Sequence, residues 1–478
     1  MTNALYDLSA TALLEQYRRK TLSPVEVTQA VMKRIDAWEP HIHATYALDA
    51  DGALAMARES EARWQRGEPQ GLLDGVPVTI KENIATRGVP VPLGSAATEL
   101  VPAEADAPPA ARLREAGAVF VSKTTMPDFG MLAAAPSSFH PLTRNPWDLT
   151  RNTGGSSSGA GAAAAAGYGP LHVGTDIGGS VRIPASFCGI FALKPSLGRV
   201  PIDPPYTGRV AGPMTRTVTD AALLMSVLSL PDARDHMSLP YQAIDWMRLE
   251  RDVNGLRIGL WLELDSGVQV DPEVRDAVLA AARAFEAAGA RVEPVKPWIR
   301  PGMLESVGSF FSMRLRMDLA AFPPARRDRV APIVTRAVEH TVGTSAEQLY
   351  QAHAQIFALR AATVAATRDF DYVLSPVFPQ PAFGAEQTHL ELDLQGIHPA
   401  QQVAFTTVFN YSEQPAASVN CGYTASGLPI GLQIVGRRFD DLGVLQIAHA
   451  WEAMRGPQRA WPQPAMVEAL ADGARSSS

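Results

Sequence analysis

Residues 153–180 read TGGSSSGAGAAAAAGYGPLHVGTDIGGS, and this stretch constrains the fold more than any other. Its glycine, serine and alanine content is that of a linker, but a flexible Gly/Ser linker lacks apolar structure. Here two glycine–serine turns enclose an Ala-rich helix and a short strand around 171–173. Alanine runs of this kind, and that at 280–282, favour close helix packing. Glycines let a backbone take strained angles and approach a ligand. Successive N–H groups in such a turn can converge on an anion. A serine at the end of the turn then stands beside its own oxyanion hole. The first turn is Gly154-Gly155-Ser156-Ser157-Ser158-Gly159, and the second runs from Thr175 to Ser180. Either turn taken alone reads as an ordinary tight turn.

The flanking sequence sets the fold class. The first 70 residues read as helices. Ser23-Pro24-Val25-Glu26 is a start signal in which Ser23 caps and Glu26 completes a capping box. Residues 73–84 (LDGVPVTIKENI) change period, with Val76, Val78 and Ile80 alternating as in a strand and Lys81 at its end. A helix is predicted over 110–116 and a strand over 118–122. Strand, helix and strand are predicted over 256–262, 271–288 and 290–295. Residues 303–368 read as helical, and 372–375 and 431–435 as strands. The alternation marks an α/β fold. Residues 471–478 are expected to be a disordered tail.

Net charge is −7, which speaks against nucleic acid as the main partner, since phosphate binding needs a positive surface. Two cysteines without a CxxC give no zinc ribbon or disulfide framework, and two reduced thiols fit a cytoplasmic protein. No signal peptide and no apolar run long enough to span a bilayer is read. No metal site or cofactor is expected.

The chemistry depends on which group serves as base for a serine. Histidine is the usual choice. The ten histidines include His41, His43, His140, His172 and His449, and none stands in a context that marks it as a base. Lysine can serve if burial or a nearby positive charge lowers its pKa, and Lys81 follows an apolar strand able to desolvate it. Residues 155–159 also satisfy G-x-S-x-G, the nucleophile elbow, which needs a strand immediately before it. Residues 145–152 read as loop, so the elbow is disfavoured.

Together these features resemble the amidase signature family. The likeness is densest over 154–200 and extends to 74–84 (DGVPVTIKENI), 212–228 (GPMTRTVTDAALLMSVL) and 427–452 (GLPIGLQIVGRRFDDLGVLQIAHAWE). It is weakest over about 300–370. The resemblance implies one large α/β/α domain over 1–470, helical segment 1–70 included, around a mixed, twisted sheet. It implies Lys81 as base, Ser156 as proton relay and Ser180 as nucleophile, with a cis peptide before Ser156. The family separates its two serines by 24 positions, and so does this chain. Backbone N–H groups of Ile177, Gly178, Gly179 and Ser180 would form the oxyanion hole, with Asp176 and Arg182 supporting that loop. Gly130, Met131 and Ser157 are expected at the substrate, in a pocket lined by the loop 129–135, residues near Tyr206 and helices over 303–340. One departure is Ser158, where many relatives have glycine.

The implied reaction is hydrolysis of a carboxylic amide through an acyl-enzyme, without cofactor. The substrate would be a small aryl or alkyl amide, and carbamates (urethanes) and esters are open to the same chemistry. A monomer or homodimer is expected. The alternative is the glutamine-hydrolysing component of a tRNA amidotransferase, but residues 198–212 (GRVPIDPPYTGRVAG) lack the Arg-Tyr-Gly run sought there.

Overall fold

The structure, a computed structural model, describes residues 4–264, 267–389 and 399–464. The predicted lysine strand forms as Pro77–Lys81, but all five residues are buried rather than every second one. The reason is its place inside a sheet covered on both faces. Thr79, on the face opposite Val78 and Ile80, meets the buried His172, with Oγ1 and Nδ1 at 2.8 Å. A strand buried on both faces loses the alternation of a half-exposed one.

Among the described residues one mixed sheet of eleven strands runs through the molecule. In spatial order the strands are Thr45–Tyr46, Val119–Thr124, Pro77–Lys81, Leu171–Asp176, Val210–Thr215, Phe191–Lys194, Ala416–Tyr423, Pro429–Val435, Tyr372–Pro376, Arg257–Leu260 and Arg291–Pro294. The lysine strand lies parallel to both neighbours, with Ile80 opposite Val173. Lys81 and the loop after Asp176 therefore leave the sheet at the same edge. From Leu171–Asp176 to Tyr372–Pro376 the neighbours are antiparallel, and the last pairs are parallel again.

The Ala-rich helix is Ser158–Ala166, buried at every position. Its small residues are a steric requirement. A Cβ on Gly159 would stand 2.3 Å from the Ala44 carbonyl oxygen, and one on Gly161 would stand 2.9 Å from Pro184 Cβ. Three N-terminal helices, Ala10–Arg18, Pro24–Ile42 and Ala50–Arg66, form as predicted. Leu13, Val27, Val31 and Ile35 pack on Ala162, Ala163 and Ala166. The capping box at Ser23 is present.

Two readings need correction. Residues 145–152 are not loop throughout: Arg144–Asn145 and Asp148–Asn152 form a two-stranded hairpin apart from the main sheet. The ground for setting the elbow aside was therefore wrong, and the decision passes to geometry. The strand Ala416–Tyr423 had no reading at all, yet it sits between Phe191–Lys194 and Pro429–Val435 near the middle of the sheet. The tail 471–478 lies outside the described residues. Among those described, no helix is long and apolar enough to cross a membrane.

Candidate active site

Lys81 is fully buried, and its Nζ donates to Ser156 Oγ at 2.8 Å and to Ser157 Oγ at 3.0 Å. Burial holds its pKa well below the ordinary lysine value, and the charge of Arg209 adds to the effect. Asp176 and Glu82 oppose it. Glu82 is adjacent in sequence but turns to the other side, where its Oε2 lies 2.7 Å from His140 Nε2. Lys81 has no carboxylate hydrogen-bond partner among the described residues. Burial without a carboxylate partner is the setting in which a lysine can act as a base.

The peptide between Gly155 and Ser156 is cis. Ser157 N–H donates to the Ser180 carbonyl at 3.1 Å, tying the first serine turn to the second. Ser157 itself is fully buried, and its Oγ also donates to the Thr175 carbonyl at 3.1 Å. It does not border the cavity, which corrects its expected place at the substrate. Its hydroxyl holds Lys81 and the sheet edge instead. The same burial removes Ser157 as an elbow nucleophile.

Ser180 is the serine that faces open space. It is 8% exposed and borders a cavity of about 520 Å³. Among the described residues its Oγ makes no hydrogen bond, so the link from Ser156 Oγ to Ser180 Oγ is not closed in this conformation. Such bonds are often long in a resting enzyme and tighten with substrate. Ile177 and Gly178 border the same cavity. Among the described residues their N–H groups and that of Ser180 have no partner. Gly179 N–H is already taken, donating to Asp176 Oδ1 at 2.8 Å. Three of the four expected oxyanion donors are therefore free, and Gly179 serves the loop.

The loop is held from below. Asp176 and Arg182 form a fully buried ion pair, with Arg182 Nη2 and Nε at 2.9 and 3.1 Å from the two carboxylate oxygens. Val181 N–H and Asn410 Nδ2 also donate to that carboxylate. Burial works to raise the Asp176 pKa, but Arg182 and these hydrogen bonds overcome it and hold the carboxyl well below its usual range. Arg182 Nη1 reaches on to Gln433 Oε1 and the Thr406 carbonyl, at 2.7 and 2.9 Å. Gly179 has φ +121°, and a Cβ there would meet Thr406 Oγ1 at 2.5 Å. Only glycine fits.

Gly130 and Met131 border the cavity as expected. Gly130 presses close to the relay position: a Cβ on it would stand 3.2 Å from Ser156 Oγ. The opposite wall is helical, with Leu304, Val307 and Phe311 from Met303–Ala320 and Ile333 from Pro332–Glu339. Tyr206 stands behind Phe311, ring centroids 6.3 Å apart. The sequence reading missed His389, Val403, Thr407 and Tyr411, which also line the cavity. No local motif marks them. Among the described residues two histidines touch the cavity, His340 and His389, and neither hydrogen-bonds Ser180. His389 is buried, which pushes its pKa down to about 4, and its Nδ1 accepts from Ala133 N–H at 3.2 Å.

A buried lysine, a serine beside it, and a second serine at a cavity under free N–H groups are the parts that acyl transfer requires. A family model described as Amidase matches residues 26–445. The chain belongs to the amidase family. It is a hydrolase of amide carbon–nitrogen bonds at the level of the family. Similar proteins include an acylamidase of Rhodococcus erythropolis, 34% identical over 94% of this chain and 96% of that protein. A component of the glutamyl-tRNA(Gln) amidotransferase of Carboxydothermus hydrogenoformans is 35% identical over 94% of this chain and 97% of its own length. Among solved structures, a bacterial aryl acylamidase superposes with a TM-score of 0.86 at 29% identity, covering 94% of this chain and 96% of that one.

Proposed function

We propose that the chain hydrolyses aryl or alkyl amides carrying a bulky apolar group, with Ser180 as nucleophile, Ser156 as relay and Lys81 as base. The observation that carries this reading is the 2.8 Å contact between a fully buried Lys81 and Ser156, beside a Ser180 that faces the cavity. Neutral Lys81 takes the Ser156 proton as Ser156 takes that of Ser180. Ser180 Oγ then bonds to the carbonyl carbon, and the oxygen becomes an anion held by the N–H groups of Ile177, Gly178 and Ser180. One such donor is worth roughly 2.7–4 kcal/mol. The proton returns through Ser156 to the leaving nitrogen as the carbon–nitrogen bond breaks. Water, activated by the same relay, releases the acid. Carbamates and esters are open to the same sequence of steps.

The lining supports the substrate class. Leu132, Ile183, Leu304, Val307, Phe311 and Ile333 give an apolar cavity whose volume falls in the range of small-molecule sites. Glutamine hydrolysis is the second reading, favoured by the likeness to the amidotransferase component. Free glutamine carries an ammonium and a carboxylate next to each other. No aspartate or glutamate stands among the described residues lining the cavity, so the ammonium would lack a counter-charge there. We therefore favour the apolar amide.

The test uses the purified chain with a fluorophosphonate and a substrate panel. The adduct should map to Ser180. Anilides and longer alkyl amides should be turned over faster than acetamide or glutamine. An adduct on Ser157, or glutamine as the best substrate, would refute the assignment.

A further inference from the structure

The cavity carries one fixed charge. Among the described residues that line it, Arg336 is the only lysine, arginine, aspartate or glutamate. It lies on Pro332–Glu339, one turn beyond Ile333 and one turn before His340, and all three border the cavity. Its guanidinium makes no ion pair and no hydrogen bond among the described residues. An exposed arginine is ordinarily just solvated, but here a second group points the same way. Ser312 is 7% exposed and also borders the cavity, yet its hydroxyl has no hydrogen-bond partner among the described residues. Buried polar groups are nearly always paired, so this one is left for a ligand.

The two groups come from helices that pack on each other. Ser312 stands three and seven positions before Leu315 and Leu319, so the three share one face of Met303–Ala320. Leu315 and Leu319 pack with Val334 and Val338 of the helix that carries Arg336. Arg316 Nη1 ties the helices further by donating to the Thr341 carbonyl at 2.7 Å. Beside Ser312 and Arg336 the wall is apolar, with Leu304, Val307, Phe311 and Ile333. Its charge leans positive on a chain of net charge −7: over residues 303–340 six arginines stand against Glu305, Asp318, Asp328 and Glu339. A cleft of one sign draws in the opposite charge. The planar fork of arginine matches a carboxylate, and a serine hydroxyl supplies one more donor.

We propose that Arg336 and Ser312 form a carboxylate subsite on the helical wall, so that the preferred substrate is an amide carrying a carboxylate beyond an apolar spacer. Ser180 stands on the sheet wall and Arg336 on the wall opposite, and the spacer is what crosses the cavity. An ammonium beside the carboxylate is disfavoured, since no aspartate or glutamate stands among the described lining residues. The inference rests on the apolar-amide reading for the bond that is cut, and adds an anion at the other end. That carboxylate belongs either to the acyl portion or to the amine portion of the amide.

Matched pairs of substrates test it on the full chain. One arm compares the mono-para-nitroanilides of glutaric, adipic and suberic acid with alkanoic para-nitroanilides of the same length, which puts the carboxylate on the acyl portion. The other compares N-benzoyl ω-amino acids with N-benzoyl alkylamines, which puts it on the amine portion. In at least one arm the acid should exceed its neutral partner in kcat/KM by about 10-fold or more, chiefly through KM, the size of a charge-assisted hydrogen bond. Arg336→Gln should bring that ratio close to one, and Arg336→Lys should restore part of it. Ser312→Ala should lower it by about 3-fold. Calorimetry on the Ser180→Ala chain reads the same pairs without turnover, and the acid should bind about 10-fold tighter only while Arg336 is present. Acids that bind no better than their neutral partners overturn the proposal, as does a preference that survives Arg336→Gln; neutral anilides still cut in that case leave the apolar-amide reading standing. Acids bound through Arg336 while every amide of both arms stays uncut would sink the apolar-amide reading and keep the subsite.

Discussion

The two walls of the cavity are built on different principles. The sheet wall carries the loop 177–180 on a carboxylate that accepts five hydrogen bonds, all from buried groups. Its Gly179 sits where a Cβ would collide with Thr406. The helical wall is mainly apolar, with Leu304, Val307, Phe311 and Ile333, and the same helices bring Ser312 and Arg336 to the cavity. A buried polar network tolerates little change, because each unpaired group costs its full desolvation. An apolar surface can be reshaped at the cost of lost contact area alone. Chemistry is thus fixed on the sheet, and selectivity is left to the helices.

The largest test of this contrast lies on the sheet side. Lys81→Ala should lower kcat by roughly 10²–10⁴-fold for every substrate, the range of a lost general base. The pH profile supplies a second readout. Lys81 acts when neutral, so activity should rise with pH through a single deprotonation whose pKa lies below the ordinary lysine value. Lys81→Ala should flatten that limb, whereas His340→Ala and His389→Ala should leave it in place. If a histidine variant removed the limb and Lys81→Ala kept it, the base would be a histidine.

Breaking the support should be nearly as severe. Arg182→Met leaves Asp176 buried without its counter-charge, which costs about 3–5 kcal/mol. Urea denaturation should show that loss, and kcat should fall with substrates of any size. A variant of normal stability and activity would mean that the loop does not depend on its ion pair.

The helical wall should respond differently. Phe311→Ala should raise KM for bulky anilides by about 10-fold, in line with roughly 1–3 kcal/mol for a hydrophobic pocket contact. Small amides should be nearly unaffected. An equal fall for all substrates would erase the division between the walls. The smallest effect belongs far from both. Ser23→Ala removes the capping box of Pro24–Ile42 and should cost about 1 kcal/mol of stability without altering kinetics.

Legibility followed the same division. The residues that were readable carry local constraints. Ser23 caps the next turn of its own chain, and Lys81 ends a strand whose apolar run continues up to it. Gly159 and Gly161 in Ser158–Ala166 stand where even a Cβ would press on neighbouring atoms. Resemblance then assigned roles that neither turn could claim alone. By contrast Thr407 and Tyr411 reach the cavity from a helix more than 200 residues beyond Ser180. Ordinary packing residues carry no mark of the partner they will meet. The hairpin at Asp148–Asn152 was missed for a related reason: it pairs with only two residues, too short for a periodic signal.

What the sequence determined by itself is the α/β alternation, the two serine turns, the lysine at a strand end and the small-residue helix between them. Each rests on backbone sterics or on periodicity within a few residues. Only the tertiary structure decided which serine meets Lys81 and which meets open space. Ser156, Ser157 and Ser180 are chemically the same group, and burial and orientation alone distinguish them. The lowered pKa of Lys81 was decided there too. A lysine loses its proton only when the surrounding chain removes water from it and supplies no carboxylate, and that exclusion is assembled from strands and turns far apart in the sequence.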